Sequence, residues 1–456
     1  MKKGNIYTGK VETTSFPDLG TVVNEEGRVH VKECIEGQKI SFKIKRKREG
    51  VSEGEFVELI EKSPLETETP ACPHFGTCGS CKLQTLPYET QASRKEAQIK
   101  KLLDSAVNGE YEWQGIVKSP AAFEYRNKME FSFGNAYKNG PLTLGLHRKN
   151  SFYDIIDVPD CKLVDEDVRA VAKATLELCR ERNYDFFHKM THEGYLRHLL
   201  VRKTFYTNEL MIVLVTSDQA PEDESDFLKT FVERLCAINK VPAAILHTIN
   251  TSPADVIINN GTTLLYGRDY IEEKLLGLTF KISPFSFFQT NSRGAELLYE
   301  KAREYVGETR DKIIFDLYSG TGTIAQLLAP VAKQVIGVEI ISEAVDAARE
   351  NAGLNGLSNC RFIADDVLKA LDGIEEKPDF IVLDPPRDGV NPKALSKILA
   401  YGVNHILYIS CKATSLARDL GPMQAAGYKV EKASCVDLFP QTSHVETVCL
   451  MSRKDN

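Results

Sequence analysis

The chain has 456 residues, of which 42% are hydrophobic and 27% charged, and its formal net charge is −7. This length exceeds a single core and predicts about two to four domains of ~100–200 residues. No apolar run reaches the ~20 residues that a bilayer span needs, so we do not expect an integral membrane protein. The negative net charge argues against a protein that coats nucleic acid with a wholly basic surface, but it is compatible with a local basic patch.

The cysteine pattern indicates free thiols and a metal or cluster site. Eleven cysteines occur without a visible secretory signal, so we expect a cytoplasmic protein whose thiols are reduced. Cys72, Cys78 and Cys81 lie close together in the chain, a grouping that is typical of metal or iron–sulfur ligands. The remaining cysteines are scattered, and a scattered cysteine is usually a small buried hydrophobe.

Residues 1–62 are predicted to form a small β-barrel. Short segments of alternating apolar residues, typical of half-buried strands, occur at 22–23, 27–31, 38–45 and 54–60. A five-stranded, OB-like oligonucleotide-binding barrel fits this pattern. Residues 38–48 contain six basic side chains and no acid, which indicates either a solvated edge strand or a stripe that follows RNA phosphates.

Residues 63–285 are predicted to form a mixed α+β domain. Pro64, Pro70 and Pro73 mark a linker into the cysteine group. Helices are predicted at 88–104, which we allow to pack on the C-terminal domain, and at 163–182, where the apolar spacing makes Cys179 a core residue. Strands are predicted at 128–133, 199–202, 210–215, 243–249 and 255–258.

Residues 286–456 alternate between strand and helix patterns and predict a doubly wound, Rossmann-like α/β domain. Apolar runs at 313–317, 334–339, 379–384 and 405–410 each end at polar residues. In such sheets, ligands bind at the carboxyl ends of the strands. The chemistry is therefore expected along that edge.

A glycine-rich turn, Asp316-Leu-Tyr-Ser-Gly-Thr-Gly-Thr323, follows the first of these strands. Its glycines permit a tight turn and close approach of the backbone to a ligand, and Glu339 at the next strand end can accept ribose hydroxyls. The pattern also satisfies a relaxed dinucleotide fingerprint, so a nicotinamide enzyme remains an alternative. Asp316 favours S-adenosylmethionine, because its carboxylate repels a pyrophosphate and attracts a sulfonium or an amino group. Asp384-Pro-Pro-Arg387 ends the strand predicted at 379–384, beside the same cleft.

Cys411 and Glu446 are candidates for nucleophile and base. Cys411 directly follows the strand at 405–410, and we expect the adjacent Lys412 to stabilise its thiolate. Glu446 lies near the start of a late strand. A thiol, an acid and an adenosyl pocket on one edge suit methylation of uracil C5: thiolate addition at C6 activates C5, and a base then removes the C5 proton.

Six motifs in order resemble the bacterial RNA uracil-C5 methyltransferases, and in particular the type that modifies 23S ribosomal RNA. They are Cys72-x5-Cys78-x2-Cys81, Ser286-Phe-Phe-Gln-Thr-Asn291, the turn at 316–323, Asp384-Pro-Pro-Arg-Asp-Gly389, Ile409-Ser-Cys-Lys412 and Phe439-Pro-Gln-Thr-Ser-His-Val-Glu446. The resemblance implies that Cys411 is the nucleophile and that Glu446 is the general base. It also implies contacts to S-adenosylmethionine, made by Gln289, Tyr318, Glu339 and Asp384.

The resemblance further implies that Cys72, Cys78, Cys81 and Cys161 ligate a 4Fe-4S cluster, and that residues 1–62 are an RNA-binding barrel of the TRAM type. By spacing and chemistry alone, four thiolates suit zinc equally well. Barrel and cluster together favour 23S ribosomal RNA as the substrate. Transfer RNA is the alternative, and a cluster-containing oxidoreductase is a further one. The barrel departs from the family pattern, since Asp18-Leu-Gly-Thr-Val-Val-Asn24 replaces a glycine-rich segment.

Overall fold

The computed structural model describes residues 1–48 and 51–453. Its N-terminal part is a closed barrel with the strand order β1-β2-β3-β5-β4. The strands are β1 (Ile6–Ser15), β2 (Leu19–Asn24), β3 (Gly27–Lys32), β4 (Lys39–Arg48) and β5 (Val51–Glu61). Valines and isoleucines alternate inward along them, and Phe42 fills the centre. The barrel therefore has a core of its own.

A second sheet of seven strands forms the central part, in the order β13-β12-β11-β10-β7-β8-β9. Its strands are β7 (Lys128–Gly134), β8 (Thr143–His147), β9 (Ile155–Asp157), β10 (Leu196–Lys203), β11 (Leu210–Thr216), β12 (Ala244–Ile249) and β13 (Thr262–Gly267). Helices α2 (Glu166–Glu181) and α3 (Glu224–Cys236) share a core with one face of this sheet. The opposite face packs against the C-terminal part, so the two cores are continuous.

The third sheet has eight strands in the order β18-β17-β16-β19-β20-β22-β21-β6. Its strands are β6 (Glu112–Val117), β16 (Thr309–Leu317), β17 (Ala332–Glu339), β18 (Cys360–Ala364), β19 (Phe380–Leu383), β20 (His405–Ser410), β21 (Tyr428–Val436) and β22 (Glu446–Arg453). β22 runs antiparallel to β20 and β21. The strand order reverses between β16 and β19, which creates the crevice where α/β sheets bind ligands.

Helices cover both faces of this third sheet. The helices are α1 (Tyr88–Ala106), α4 (Ser292–Val306), α5 (Thr323–Leu328), α6 (Ser342–Leu354), α7 (Val367–Gly373), α8 (Pro392–Ala400) and α9 (Ala413–Ala425). Ile314 and Val382 face the core shared with α4, α5 and α6, whereas their neighbours Phe315 and Ile381 face α1 and α7 to α9. A hairpin, β14 (Ile271–Leu275) and β15 (Leu278–Ile282), precedes α4. A short 3-10 helix, Ala329–Val331, follows α5.

The segment of α1 and β6 precedes the central sheet in the chain but packs with the C-terminal sheet. Ile99 and Leu103 of α1 lie in the same core as Phe315, and β6 pairs in parallel with β21. The Lys95 ammonium of α1 lies 2.7 Å from a carboxylate oxygen of Asp437, and both side chains are buried. The chain thus leaves the C-terminal domain and returns to it.

The α/β fold with an N-terminal barrel is confirmed, and the barrel strands β2 to β5 were all predicted. The strand predicted at 255–258 is wrong. There the chain is a loop, held by Asn250, which donates to the Val256 carbonyl, and by Arg197, which donates to the carbonyls of Asn250, Ser252 and Ala254. Within the described ranges, no helix is both long and apolar enough to cross a membrane. Residues 454–456 of the predicted C-terminal domain lie outside those ranges.

We expect Lys95→Ala to lower the free energy of unfolding by about 3–5 kcal/mol, because it leaves Asp437 buried without its cation. Lys100→Ala on the same helix removes only an exposed pair with Asp104 and should cost less than about 1 kcal/mol. Urea unfolding followed by circular dichroism measures both variants. Equal losses of free energy of unfolding in the two variants would show that the buried pair contributes no more than the exposed one.

Candidate active site

The glycine-rich turn follows β16 at the centre of the third sheet. Tyr318 and Ser319 donate their backbone N–H groups to the Val338 carbonyl, at 2.9 and 3.0 Å, and Tyr318 has a positive φ of 70°. At Gly322, with φ of 71°, an added Cβ would lie 2.6 Å from the Phe362 ring. A Cβ on Gly320 would meet no atom within 4 Å. The turn is therefore packed tightly on one side and open at Gly320.

Glu339 closes the neighbouring corner at the end of β17. One carboxylate oxygen accepts the Gly320 N–H at 3.1 Å, and the other accepts the Ile341 N–H at 3.0 Å. Each oxygen has a further lone pair, so the group can still accept hydroxyl donors. Glu339 is thus fixed in orientation by the turn that it adjoins.

Three carboxyl groups meet at the strand ends, from Asp316, Asp384 and Glu446. Asp316 accepts the Ala325 N–H at 2.9 Å through Oδ2, while its Oδ1 is buried without a hydrogen-bond partner. Burial raises the pKa of Asp384 to about 7. Burial and then the Asp384 charge raise the pKa of Asp316 and of Glu446 to about 8 each. Burial and repulsion therefore oppose the ionised forms of these three groups, and a cationic ligand in the cleft would favour them.

Strand register brings Cys411 beside Glu446. β20 and β22 are antiparallel with Ser410 opposite Thr447, so the next residue outward on each strand is Cys411 or Glu446. Burial, followed by the charges of Glu446 and Asp384, raises the pKa of the Cys411 thiol to about 11. A thiol and a carboxyl group therefore adjoin at the open edge of the sheet.

The cation that favours the Cys411 thiolate is Arg387, whose charge lowers the thiol pKa. Lys412, to which the sequence analysis gave this role, is exposed at the start of α9. Arg387 comes from the segment that follows β19 and is thus distant in the chain from Cys411. Arg387 also donates to His444 Nδ1 at 3.2 Å.

Gln289 is buried on the far side of the cleft. Asn127 donates to the backbone carbonyl of Gln289 at 2.8 Å, and the Gln289 side chain adjoins the Tyr299 hydroxyl. Burial and the charges of Asp384, Glu446 and Asp316 raise the pKa of Tyr299. The sequence analysis missed Tyr299, because its only signal is a position on the apolar face of α4.

The four cysteines singled out in the sequence line one small cavity. Cys72, Cys78, Cys81 and Cys161 surround it together with His74. Burial raises the pKa of Cys81 to about 12, and the other three thiols add to this by charge repulsion. In the described part of the chain, no group of three or more His, Cys, Asp or Glu side chains is arranged around a single metal ion. The thiols are thus gathered, but the structure itself identifies no metal.

Comparisons with known proteins agree with this geometry. A family model described as tRNA (uracil-5-)-methyltransferase matches residues 254–454. An uncharacterised RNA methyltransferase of Caldanaerobacter subterraneus is 47% identical over 453 residues, which cover 99% of this chain and 100% of the relative. Another, from Clostridium tetani, is 46% identical over 100% of this chain and 99% of its own. The chain belongs to the RNA uracil-C5 methyltransferase family.

The fold of this methyltransferase is similar to that of a solved structure. It is the Pyrococcus abyssi tRNA (uracil-54, C5)-methyltransferase in complex with S-adenosyl-L-homocysteine, with a TM-score of 0.74 and 24% identity. The match covers 98% of this chain and 100% of the archaeal one. The methyltransferase is therefore an S-adenosylmethionine-dependent enzyme that acts on RNA. This confirms the family resemblance and decides against the dinucleotide alternative.

The ligand-free methyltransferase should lose stability as the pH rises from 5 to 8. Asp316 has a pKa raised from 3.8 to about 8 in the folded state, so its contribution is present at low pH and is lost as the pH rises through that value. We expect a loss of at least about 1 kcal/mol over this interval. Asp316→Asn cannot ionise and should make the decline shallower, whereas Asp346→Asn on an exposed helix position should not. Thermal unfolding at four pH values measures this, and identical slopes in all three proteins would contradict it.

Proposed function

We propose that this enzyme transfers a methyl group from S-adenosylmethionine to C5 of a uridine in 23S ribosomal RNA, through a covalent bond between Cys411 Sγ and uracil C6. The observation that supports this most directly is the pairing of β20 with β22, whose register sets Cys411 beside Glu446 at the edge of the acidic cleft. Methylation of an oxygen or of an exocyclic nitrogen needs no thiol at this position.

The residues of the cleft fit S-adenosylmethionine, which supplies an electrophilic methyl group on a cationic sulfur when it is bound. Glu339 would accept the ribose hydroxyls, and the open backbone at Gly320 leaves room for the ligand. Asp384 and Gln289 would hold the amino-acid end, and Tyr318 would line the pocket. The unpartnered Oδ1 of buried Asp316 supports a cationic occupant.

Cys411 would act first, as the thiolate. Its sulfur adds to C6 and moves the ring electrons to C5, which then takes the methyl group. Glu446 in its carboxylate form removes the C5 proton, and the returning electron pair expels the Cys411 thiolate. A bound cation beside Asp384 offsets its charge, which lowers the pKa of Glu446 and of Cys411 toward their reactive forms. The target uridine has to leave its stack to reach this edge.

The choice of 23S ribosomal RNA rests on the resemblance in the cysteine and barrel segments. Transfer RNA is a second candidate, because the Pyrococcus abyssi enzyme that matches over the full length is named for transfer RNA. That match includes the barrel region, so a barrel alone does not separate the two substrates.

The N-terminal barrel would act as an OB-like, TRAM-type RNA-binding module. Part of its basic stripe is already neutralised, since Lys39, Lys45 and Arg46 pair with Glu61, Glu55 and Glu53. Lys43 and Lys47 are exposed on the same strand. We expect these two to supply most of its contact with RNA phosphates.

Tritium release from RNA labelled at uracil C5 tests the reaction. We expect release to depend on S-adenosylmethionine, with ribosomal RNA preferred over transfer RNA. Cys411→Ala should abolish release, whereas Cys236→Ala, in α3 of the central domain, should retain it. Methyl transfer to RNA without release of tritium would mean that another atom is modified.

Glu446→Gln in the same assay should lower release by about 10²–10⁴-fold and leave protein covalently joined to RNA, because the C5 proton is retained after methylation. Gel electrophoresis in denaturant detects this adduct. Its absence from a folded Glu446→Gln protein would argue against Glu446 as the base.

The four cysteines would hold a 4Fe-4S cluster, whose role we assign to shaping the RNA cleft because methyl transfer needs no electron. Four thiols around one cavity fit the ligand set of a cubane, in which each cysteine binds a different iron. Anaerobically purified protein should contain about four iron and about four sulfide per chain. Cys81→Ser should lower the iron content and Cys236→Ser should not; one zinc with no iron in the wild type would overturn the assignment.

A further inference from the structure

Three large apolar side chains stand exposed together on the central domain, away from its core. Phe152, Tyr153 and Met190 are 63%, 59% and 77% exposed. The two rings contact edge to face, with centroids 5.3 Å apart, and the Tyr153 hydroxyl lies 3.8 Å from the Met190 sulfur. We call these three residues the aromatic patch. Exposed apolar clusters of this kind usually mark interaction surfaces.

Charged side chains hold the aromatic patch in place. The Lys189 ammonium lies 4.5 Å from the Phe152 ring centroid and pairs with Asp255. His147 stacks on Phe152 at 6.2 Å, and its Nε2 lies 3.4 Å from the same Asp255 carboxylate. Because Asp255 contacts both Lys189 and His147, it holds the two side chains that lie against the Phe152 ring, and the ring is preorganised.

The chemistry of the turn favours nucleic acid. Residues 147–153 read His-Arg-Lys-Asn-Ser-Phe-Tyr and contain no acid. Asp154 follows this segment, and Arg148, whose side chain is 42% exposed, has its Nε 3.8 Å from the Asp154 carboxylate and donates from Nη2 to the Ala136 carbonyl. Single-stranded RNA is bound in this way, by aromatic rings that stack on bases and by cations that contact the adjoining phosphates.

The turn also adjoins the parts of the molecule that an RNA substrate would reach. Gly79 of the cysteine-rich segment donates to the His147 carbonyl at 3.1 Å, and Lys149 donates to the Thr77 carbonyl at 2.8 Å. The Lys149 ammonium lies 3.2 Å from Glu33 of the barrel. Further along the same segment, Lys82 donates its N–H to the carbonyl of Gln441, in the loop that leads to Glu446.

We propose that the aromatic patch binds unpaired nucleobases of the RNA substrate, outside the catalytic cleft, and so helps to select an RNA with a single-stranded segment near the target uridine. This proposal rests on RNA as the substrate of the proposed function and adds a second contact site to it. The exposed parts of the Phe152 and Tyr153 rings supply the stacking surface, and Arg148 supplies the phosphate contact.

The test compares a Phe152→Ala and Tyr153→Ala double variant with the wild type, using a fluorescent 23S ribosomal RNA fragment and, in parallel, transfer RNA. Affinity is measured by anisotropy, which needs no turnover, and KM and kcat by tritium release. We expect an affinity loss of about tenfold or more and a matching rise in KM, with kcat retained.

Two control variants separate stacking from general damage. Tyr153→Phe keeps the ring and should bind like the wild type, and Tyr266→Ala changes a partly exposed ring on β13, at the opposite edge of the sheet. Unchanged affinity of the double variant for both RNAs would overturn the proposal, as would equal losses in the controls. Intact RNA binding without tritium release by the wild type would contradict the proposed function alone.

Discussion

Two adjacent buried cations on α1 hold the molecule together. The Arg94 guanidinium donates to both oxygens of Glu36 in the barrel, at 2.8 and 2.9 Å, whereas Lys95 binds Asp437 in the C-terminal domain. Neighbouring residues on a helix point in directions about 100° apart, so one turn of α1 can contact the barrel and the C-terminal domain at once. Removal of Lys95 would leave Asp437 buried without its cation, and removal of Arg94 would break the contact of α1 with the partly exposed Glu36 of the barrel. The position of the barrel relative to the catalytic edge follows from this pair.

The same helix also positions the loop that delivers Glu446. Lys95 donates to the Phe439 carbonyl at 3.1 Å, and Gln91 and Gln441 exchange hydrogen bonds of 3.0 Å. The loop therefore reaches β22 in a fixed path, and Glu446 emerges next to Cys411. An element that precedes the central domain in sequence thus helps to position Glu446, the proposed base, which lies more than three hundred residues later.

Electrostatics link the ligand to the chemistry. Burial raises the pKa of Asp384, and burial together with the Asp384 charge raises the pKa of Asp316 and of Glu446. The pKa of the Cys411 thiol is raised as well. A cationic methyl donor reverses these shifts and favours the carboxylate and the thiolate together. In the proposed reaction, binding of the donor would thereby favour the reactive forms of both groups.

The sequence by itself determined the α/β class, the barrel strands β2 to β5 and the family, because those features depend on local periodicity and on contiguous motifs. It missed β1, whose sequence shows no alternation of apolar and polar residues and which has Val11 as its one buried residue. It also placed a strand at 255–258, where side-chain hydrogen bonds from Arg197 and Asn250 impose a loop. Only the tertiary structure decided that the charge of Arg387 reaches Cys411, that Tyr299 borders the acidic cleft, and that α1 belongs with the C-terminal sheet. These are contacts between residues distant in the chain, and a local sequence pattern does not determine which distant side chain lies next to a given residue.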